Sequence, residues 1–160
     1  MRGLLTFLAA LVAATPALAQ APAQSPAEPA QDAISAVRSF TDAFDRGDEA
    51  GMTSVITPDA QVVLVRPQED GDVVRSLPLA DLAARIAGAP ADLKEPIAIK
   101  NVMVDGPVAM VWADFSLFVD GKRSHCGVDI FTLVQADGAW KISHITYSHI
   151  TEPCEEAPAL

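Results

Sequence analysis

Between Asp32 and Arg46, apolar residues fall at Ile34, Val37, Phe40, Ala43 and Phe44, a spacing of three and four that lines one face of a helix. Asp32 is placed to cap its start, and Gly47 to stop it in the left-handed conformation. A second short helix is expected from Asp48 to about Ile56, before Thr57-Pro58-Asp59. The period then changes to two. QVVLVR reads as a strand, PQEDGD as a turn and VVRSL as a returning strand. Pro78 to Gly88 is helical again, with the proline in its first turn. From Ile97 onward only strands are expected: IAIKNVMV, VAMVWADFSLFV, SHCGVDIFTLVQ and WKISHITYSHI, separated by turns at Asp105-Gly106-Pro107, Asp120-Gly121 and Asp137-Gly138. Helices followed by an antiparallel meander predict an α+β domain in which helices cover one face of a curved sheet.

Upstream of this pattern stands MRGLLTFLAALVAATPALAQ: a basic start, an apolar run from Leu4 to Ala14, then Ala17-Leu18-Ala19. This is the grammar of a secretory signal peptide, residues 1–19, cleaved after Ala19, and it predicts a periplasmic or secreted protein with no membrane attachment after cleavage. Residues 20–31 are rich in Pro and Ala and read as a disordered spacer. Residues 32–154 are expected to form one domain, and residues 155–160 a disordered tail.

Charge narrows the partners. The net charge of -10, from 21 acidic against 11 basic residues without a basic stripe, excludes a nucleic-acid or anionic-membrane surface. Cys126 and Cys154 make an even pair in an oxidising compartment, so a single bridge is the simplest reading. It requires the chain from Ser148 to Cys154 to turn back on the strand; otherwise both thiols are free.

Three stretches, FTDAFDRGDEAGMTSVITPDAQV, FSLFVDGKRSHCGVDIFTLV and DGAWKISHITYS, together resemble the nuclear transport factor 2-like superfamily, which includes ketosteroid isomerase and the SnoaL-like polyketide cyclases. The resemblance implies a cone-shaped curved antiparallel sheet covered by N-terminal helices, the cystatin-like roll. It is silent on activity, because this fold hosts enzymes, carriers and assembly domains. Carried over from the isomerase, the oxyanion tyrosine corresponds to Phe40, the general base falls near Leu64, and the second, protonated aspartate falls at Asp129 or Ile130. Two of these three positions are apolar, which argues against isomerase chemistry of that type. The paired histidines and tyrosine of scytalone dehydratase have no clear counterparts.

Alternation along the strands sorts the polar residues. Cys126, Val128, Ile130 and Thr132 share one face of their strand, and His125, Gly127, Asp129 and Phe131 the other. The final strand follows whichever register its hairpin adopts, since a one-residue slip exchanges its faces. A three-residue loop, Ala136-Asp137-Gly138, is preferred here over a two-residue loop at Asp137-Gly138, because it leaves one face almost wholly apolar. On that reading Phe40, Phe44, Phe115, Leu117, Val128, Ile130, Thr132, Trp140, Ile142, His144, Thr146 and Ser148 form a concave pocket for an apolar small molecule. Trp112, Phe131, Ile145 and Tyr147 lie on the back, where an aromatic patch would pair two subunits as a homodimer.

Within that pocket His144 is the one group that titrates near neutral pH, the candidate general base or ligand donor. The alternative is a core histidine satisfied by Thr132, Thr146 or a carbonyl. Cys126 as a nucleophile would want a basic partner, but Ser148 lies opposite it with His144 farther along, and the compartment favours oxidation. Asp114 with Asp129 reads as surface charge, and His125 and His149 as exposed strand ends. No spacing supplies a metal site, and no motif points to a cofactor. The leading expectation is therefore an exported small-molecule-binding domain. The rivals are an isomerase, dehydratase or cyclase using His144, and a dimeric structural or assembly domain.

Overall fold

The computed structural model describes residues 28–155 and 157–160. The expected signal peptide, and the spacer as far as residue 27, lie outside the described residues. Helix α1 spans Glu28–Asp45 and buries Ala33, Ala36, Val37, Phe40, Ala43 and Phe44. It begins four residues before the expected cap at Asp32. Pro29 stands in its first turn, where a missing N–H costs no hydrogen bond, so residues 28–31 of the expected spacer are helical. Helix α2, Glu49–Ser54, is capped by Asp48, whose carboxylate accepts from the Gly51 amide at 2.8 Å. Helix α3 spans Leu79–Ala87 and buries Leu79 and Ala83.

Seven strands form the sheet: β1 (Ile56–Arg66), β2 (Val73–Pro78), β3 (Leu93–Lys94), β4 (Ile97–Asp105), β5 (Val108–Val119), β6 (Lys122–Ala136) and β7 (Ala139–Ser148). Their order is β2-β1-β7-β6-β5, with both β3 and β4 on the far side of β5. The β1–β7 pair is parallel and every other pair antiparallel. This is the expected α+β architecture of helices against a curved, open sheet.

The hairpins β5–β6 and β6–β7 close on two-residue loops, with Asp120 and Gly121, and Asp137 and Gly138, all at positive φ. Such loops match the twist of the flanking strands and favour Asp-Gly. The preferred three-residue loop at Ala136-Asp137-Gly138 is thus corrected to two residues. Two β-bulges then reset which residues share a face. Leu117 pairs with His125 and Phe118 with Arg123, so Ser124 is extra. His144 pairs with Thr132 and Ile142 with Leu133, so Ser143 is extra.

The core lies between the helices and the inner face of the sheet, where Val111, Ala113, Phe131, Leu133, Trp140, Ile142 and Ile145 meet α1 and α3. At the other end of β6, Cys126 is bonded to Cys154, with Cα atoms 5.9 Å apart. The chain does turn back: Cys126 and Ile150 exchange amide-to-carbonyl bonds of 2.8 Å in both directions. Beyond the bridge, the Pro158 carbonyl accepts from the Arg123 guanidinium at 3.1 Å. No helix of the described residues is long and apolar enough to cross a membrane.

Gly127 stands where β6 passes close to the end of β7; a Cβ there would run into the Ser148 carbonyl. Ser148 is held in place by its hydroxyl, which accepts from the Val128 amide at 3.0 Å. Gly127→Ala is therefore expected to lower stability by about 1–3 kcal/mol, the usual cost of overpacking, read as a lower urea midpoint at unchanged slope. An unchanged midpoint would mean that the two strands separate freely there.

Candidate functional site

The inner face of the sheet and the two longer helices enclose a cavity of about 90 Å³. Helix α1 contributes Phe40 and Phe44, one turn apart, and α3 contributes Leu82 and Ile86 at the same spacing. The strands add Val62, Leu117, Phe131, Ile145 and Tyr147. Into this greasy enclosure come three further polar residues: His125 and Asp129 from β6, and Glu95 from the turn between β3 and β4. A water needs roughly 10–15 Å³ of such space, so the cavity has room for several waters or one compact ring system.

Asp129 is 4% exposed, and its Oδ2 has no hydrogen-bond partner. Burial pushes its carboxyl up from 3.8 to about 8, because water no longer stabilises the charged form. Glu95 is held by its backbone amide, which donates to Asp45 Oδ1 at 2.6 Å. Its carboxyl is raised well above the ordinary range, first by burial, then by the charges of Asp129 and Asp45. The Tyr147 hydroxyl is raised by burial, then by Glu95 and Asp129, against an opposing effect of Arg66. Two buried carboxyls, with Glu95 raised further by the charge of Asp129, favour protonated forms at neutral pH.

Beside them lies a histidine pair. His125 is buried, stacks on His149 with centroids 3.8 Å apart, and meets the ring of Phe115 edge-on at 5.7 Å. Burial first, then the charges of His149 and Arg66, lower its pKa from 6.5 to about 4. Burial and Arg66 lower His149 as well, and the Arg66 guanidinium sits 3.4 Å from His149 Nδ1. His125 is therefore neutral at neutral pH, able both to donate and to accept a hydrogen bond.

Of the residues expected to form the pocket, Phe40, Phe44 and Leu117 line this cavity. Phe115 is buried on the same face, edge-on to Tyr147 at 6.0 Å. Trp140 and Ile142 are buried in the core farther along β7. Val128, Ile130, Thr132, His144, Thr146 and Ser148 lie on the opposite, outer face. Thr132 faces His144 and Ile130 faces Thr146 across the β6–β7 ladder, while neighbouring Asp129 faces Tyr147 and Phe131 faces Ile145 toward the helices. The cause is the bulge at Ser124: an unbroken hairpin would set Cys126 and Val128 on the side of Phe115 and Leu117, and the extra residue substitutes His125, Gly127 and Asp129.

The bulge at Ser143 acts in the same way on β7, turning His144 outward while Trp140 and Ile142 stay inside. His144 is thus absent from the cavity wall, and a general base there has no access to a ligand held inside. Of the expected dimer face, Phe131, Ile145 and Tyr147 are cavity walls, and Trp112, 39% exposed, alone remains on the back. Asp129 and His125, read as surface groups, are buried; of the two positions the resemblance left open for a protonated aspartate, Asp129 lines the cavity and Ile130 faces outward. Glu95 escaped notice because a single glutamate between Lys94 and Pro96 carries no periodic signal. Alternation had already placed His125, Asp129 and Phe131 on one face, and a bulged β5–β6 register would have identified it as the inner one.

A family described as "Putative lumazine-binding" matches residues 28–148, which takes in every wall of the cavity. The chain belongs to this family. Solved structures agree on the fold. A nuclear transport factor 2-like protein of unknown function from Shewanella baltica superposes with a TM-score of 0.62 at 16% identity, covering 82% of this chain and 99% of that one. A protein from Streptomyces avermitilis, described as a putative dehydratase of the same superfamily, gives 0.62 at 20% identity, covering 78% and 97%. A domain of unknown function with a cystatin-like fold from Nostoc punctiforme gives 0.61 at 14% identity, covering 80% of each. These identities establish a nuclear transport factor 2-like fold and carry no activity. No curated protein matches the chain.

Proposed function

We propose that this protein is a small-molecule-binding domain whose ligand occupies the cavity between α1, α3 and the sheet. The observation that carries the reading is the unsatisfied Oδ2 of Asp129, a residue that lines a mostly apolar enclosure. A buried polar atom without a partner costs free energy that a ligand hydrogen bond would recover. The size of the cavity suits one compact, flat ring system, and the family description suggests lumazine as the first compound to try. Enzymatic isomerisation, dehydration or cyclisation through His144 loses its support, because that side chain lies on the other face of the sheet.

Lumazine should bind saturably in a fluorescence titration. Ile86→Trp, which fills the cavity from α3, should weaken binding at least tenfold, since a filled pocket excludes the ligand. His144→Ala should leave it unchanged. The reading fails if lumazine does not bind and native mass spectrometry of protein from its own host finds no retained small molecule.

Export is part of the same proposal, with residues 1–19 as a leader removed after Ala19. The Cys126–Cys154 bridge supports it, since such bonds persist in oxidising compartments. Pairing of two subunits would have to use the outer face around Trp112, now without the three aromatic and apolar neighbours that turn inward.

A further inference from the structure

We propose that the cavity's polar end is a site for an organic cation, taking the protonated nitrogen of an ammonium or amidinium group carried on a flat apolar body, with Asp129 and Glu95 as its counter-charges. The proposal rests on the ligand-binding reading above and names the chemistry of the ligand. Both carboxyl residues line the cavity, and Asp129, nearly fully buried, presents an oxygen with no partner.

Among the described residues, no lysine or arginine lines the cavity. Two lysines near these strands are engaged with other partners: Lys94 Nζ donates to the Asp45 carbonyl and to Asp92, each at 2.6 Å, and Lys100 pairs with Asp114 at 3.0 Å. The other titratable groups packed around the pair are Asp45 from α1, His125 from β6, Tyr147 from β7, His149 just after β7, and Arg66 from β1, which bears on the histidines and Tyr147. Among the described residues, α3 presents only Leu82 and Ile86 to the cavity. Two acids therefore share a mostly apolar space in whose wall no described residue is a lysine or arginine.

A neutral ligand can only share hydrogen bonds with the protonated carboxyls. A cation favours their ionised forms, because opposite charges attract strongly where water is excluded. The rings of Phe40, Phe44 and Phe131 line the same cavity, and aromatic rings attract a cation held close to them. A metal ion is a poor alternative, since hard cations require six or more oxygen ligands and no group of three ligating side chains exists among the described residues.

Benzamidine and its uncharged counterpart benzamide form a matched pair of probes. By calorimetry from pH 5.5 to 8.5, benzamidine should bind with an affinity that rises by up to about tenfold per pH unit as the carboxyls give up protons. Its heat should vary with the ionisation enthalpy of the buffer. Benzamide should bind at least tenfold more weakly at pH 8, without that slope. Asp129→Asn and Glu95→Gln, each checked for fold by circular dichroism, should each weaken benzamidine at least tenfold and abolish the rise of its affinity with pH that the substituted carboxyl supplies. Equal, pH-independent binding of both probes overturns the cation site while the ligand-binding reading stands. Binding of neither also overturns it, and the lumazine titration then decides the broader reading alone.

Discussion

Replacing Cys126 and Cys154 together with alanine is expected to cost about 2–4 kcal/mol of stability. The two residues are 28 apart in sequence, and closing a loop of that length removes enough freedom from the unfolded chain to contribute roughly 3–4 kcal/mol. The bridge joins Cys126 in β6 to the turn after β7, where Ile150 already pairs with Cys126. Its loss should therefore loosen the segment beside His125 and His149 before the helices respond. Urea unfolding of the oxidised protein, the dithiothreitol-reduced protein and the double variant tests this. The last two should coincide, with a midpoint well below the first. Amide exchange should show the earliest loss of protection around residues 148–154. Coincidence of all three unfolding curves would mean that the bridge leaves the unfolded ensemble unconstrained.

The second large effect concerns pH. Asp129 has a carboxyl raised from 3.8 to about 8, so between those values the folded chain holds a proton that the unfolded chain has released. Its contribution to stability is intact below about pH 4 and is lost as pH rises toward 8, by up to about 1.4 kcal/mol per pH unit. Glu95 acts in the same direction. His125, lowered from 6.5 to about 4, acts in the opposite sense. Below pH 6.5 the unfolded chain binds a proton that the folded one refuses, so stability is lost as pH falls from 6.5 to 4, and His149 adds to this.

The two effects oppose each other between about pH 4 and 6.5, and only the acids act between 6.5 and 8. The protein should therefore lose stability on going from pH 6.5 to 8. Asp129→Asn should flatten that limb and exceed the wild type by about 1–3 kcal/mol at pH 8, with a smaller advantage at pH 5. Parallel wild-type and variant profiles across this range would show that Asp129 is not the group that titrates. Stability gained by removing the acid would mark it as retained for binding, since a carboxyl that destabilises the free fold is unexplained by the fold itself.

The outcomes at particular residues divide along physical lines. The helix spacing of Val37, Phe40 and Phe44 was legible because the pattern repeats within one element and depends on nothing distant. The same holds for the Asp-Gly turns, where backbone conformation selects the residues directly. The resemblance carried the order of elements and the closing tryptophan strand. His144 and Asp129 exchanged faces because single extra residues at Ser124 and Ser143 interrupt an alternation that looks continuous in the sequence. A bulge leaves no mark in hydrophobic period when both faces of a strand carry apolar residues, as β6 and β7 do.

By itself, then, the sequence determined the class of fold, the helix that roofs the cavity and the turn residues, because each is set by local periodicity or backbone preference. That Cys126 and Cys154 do bridge was decided by the turn of the chain after β7. Tertiary structure decided which side of β6 looks inward, and with it that Asp129 and His125 are buried beside Glu95 while His144 faces out. Register is a relation between strands far apart in the chain, fixed by the packing of whole faces, and the chemistry of this site depends on it.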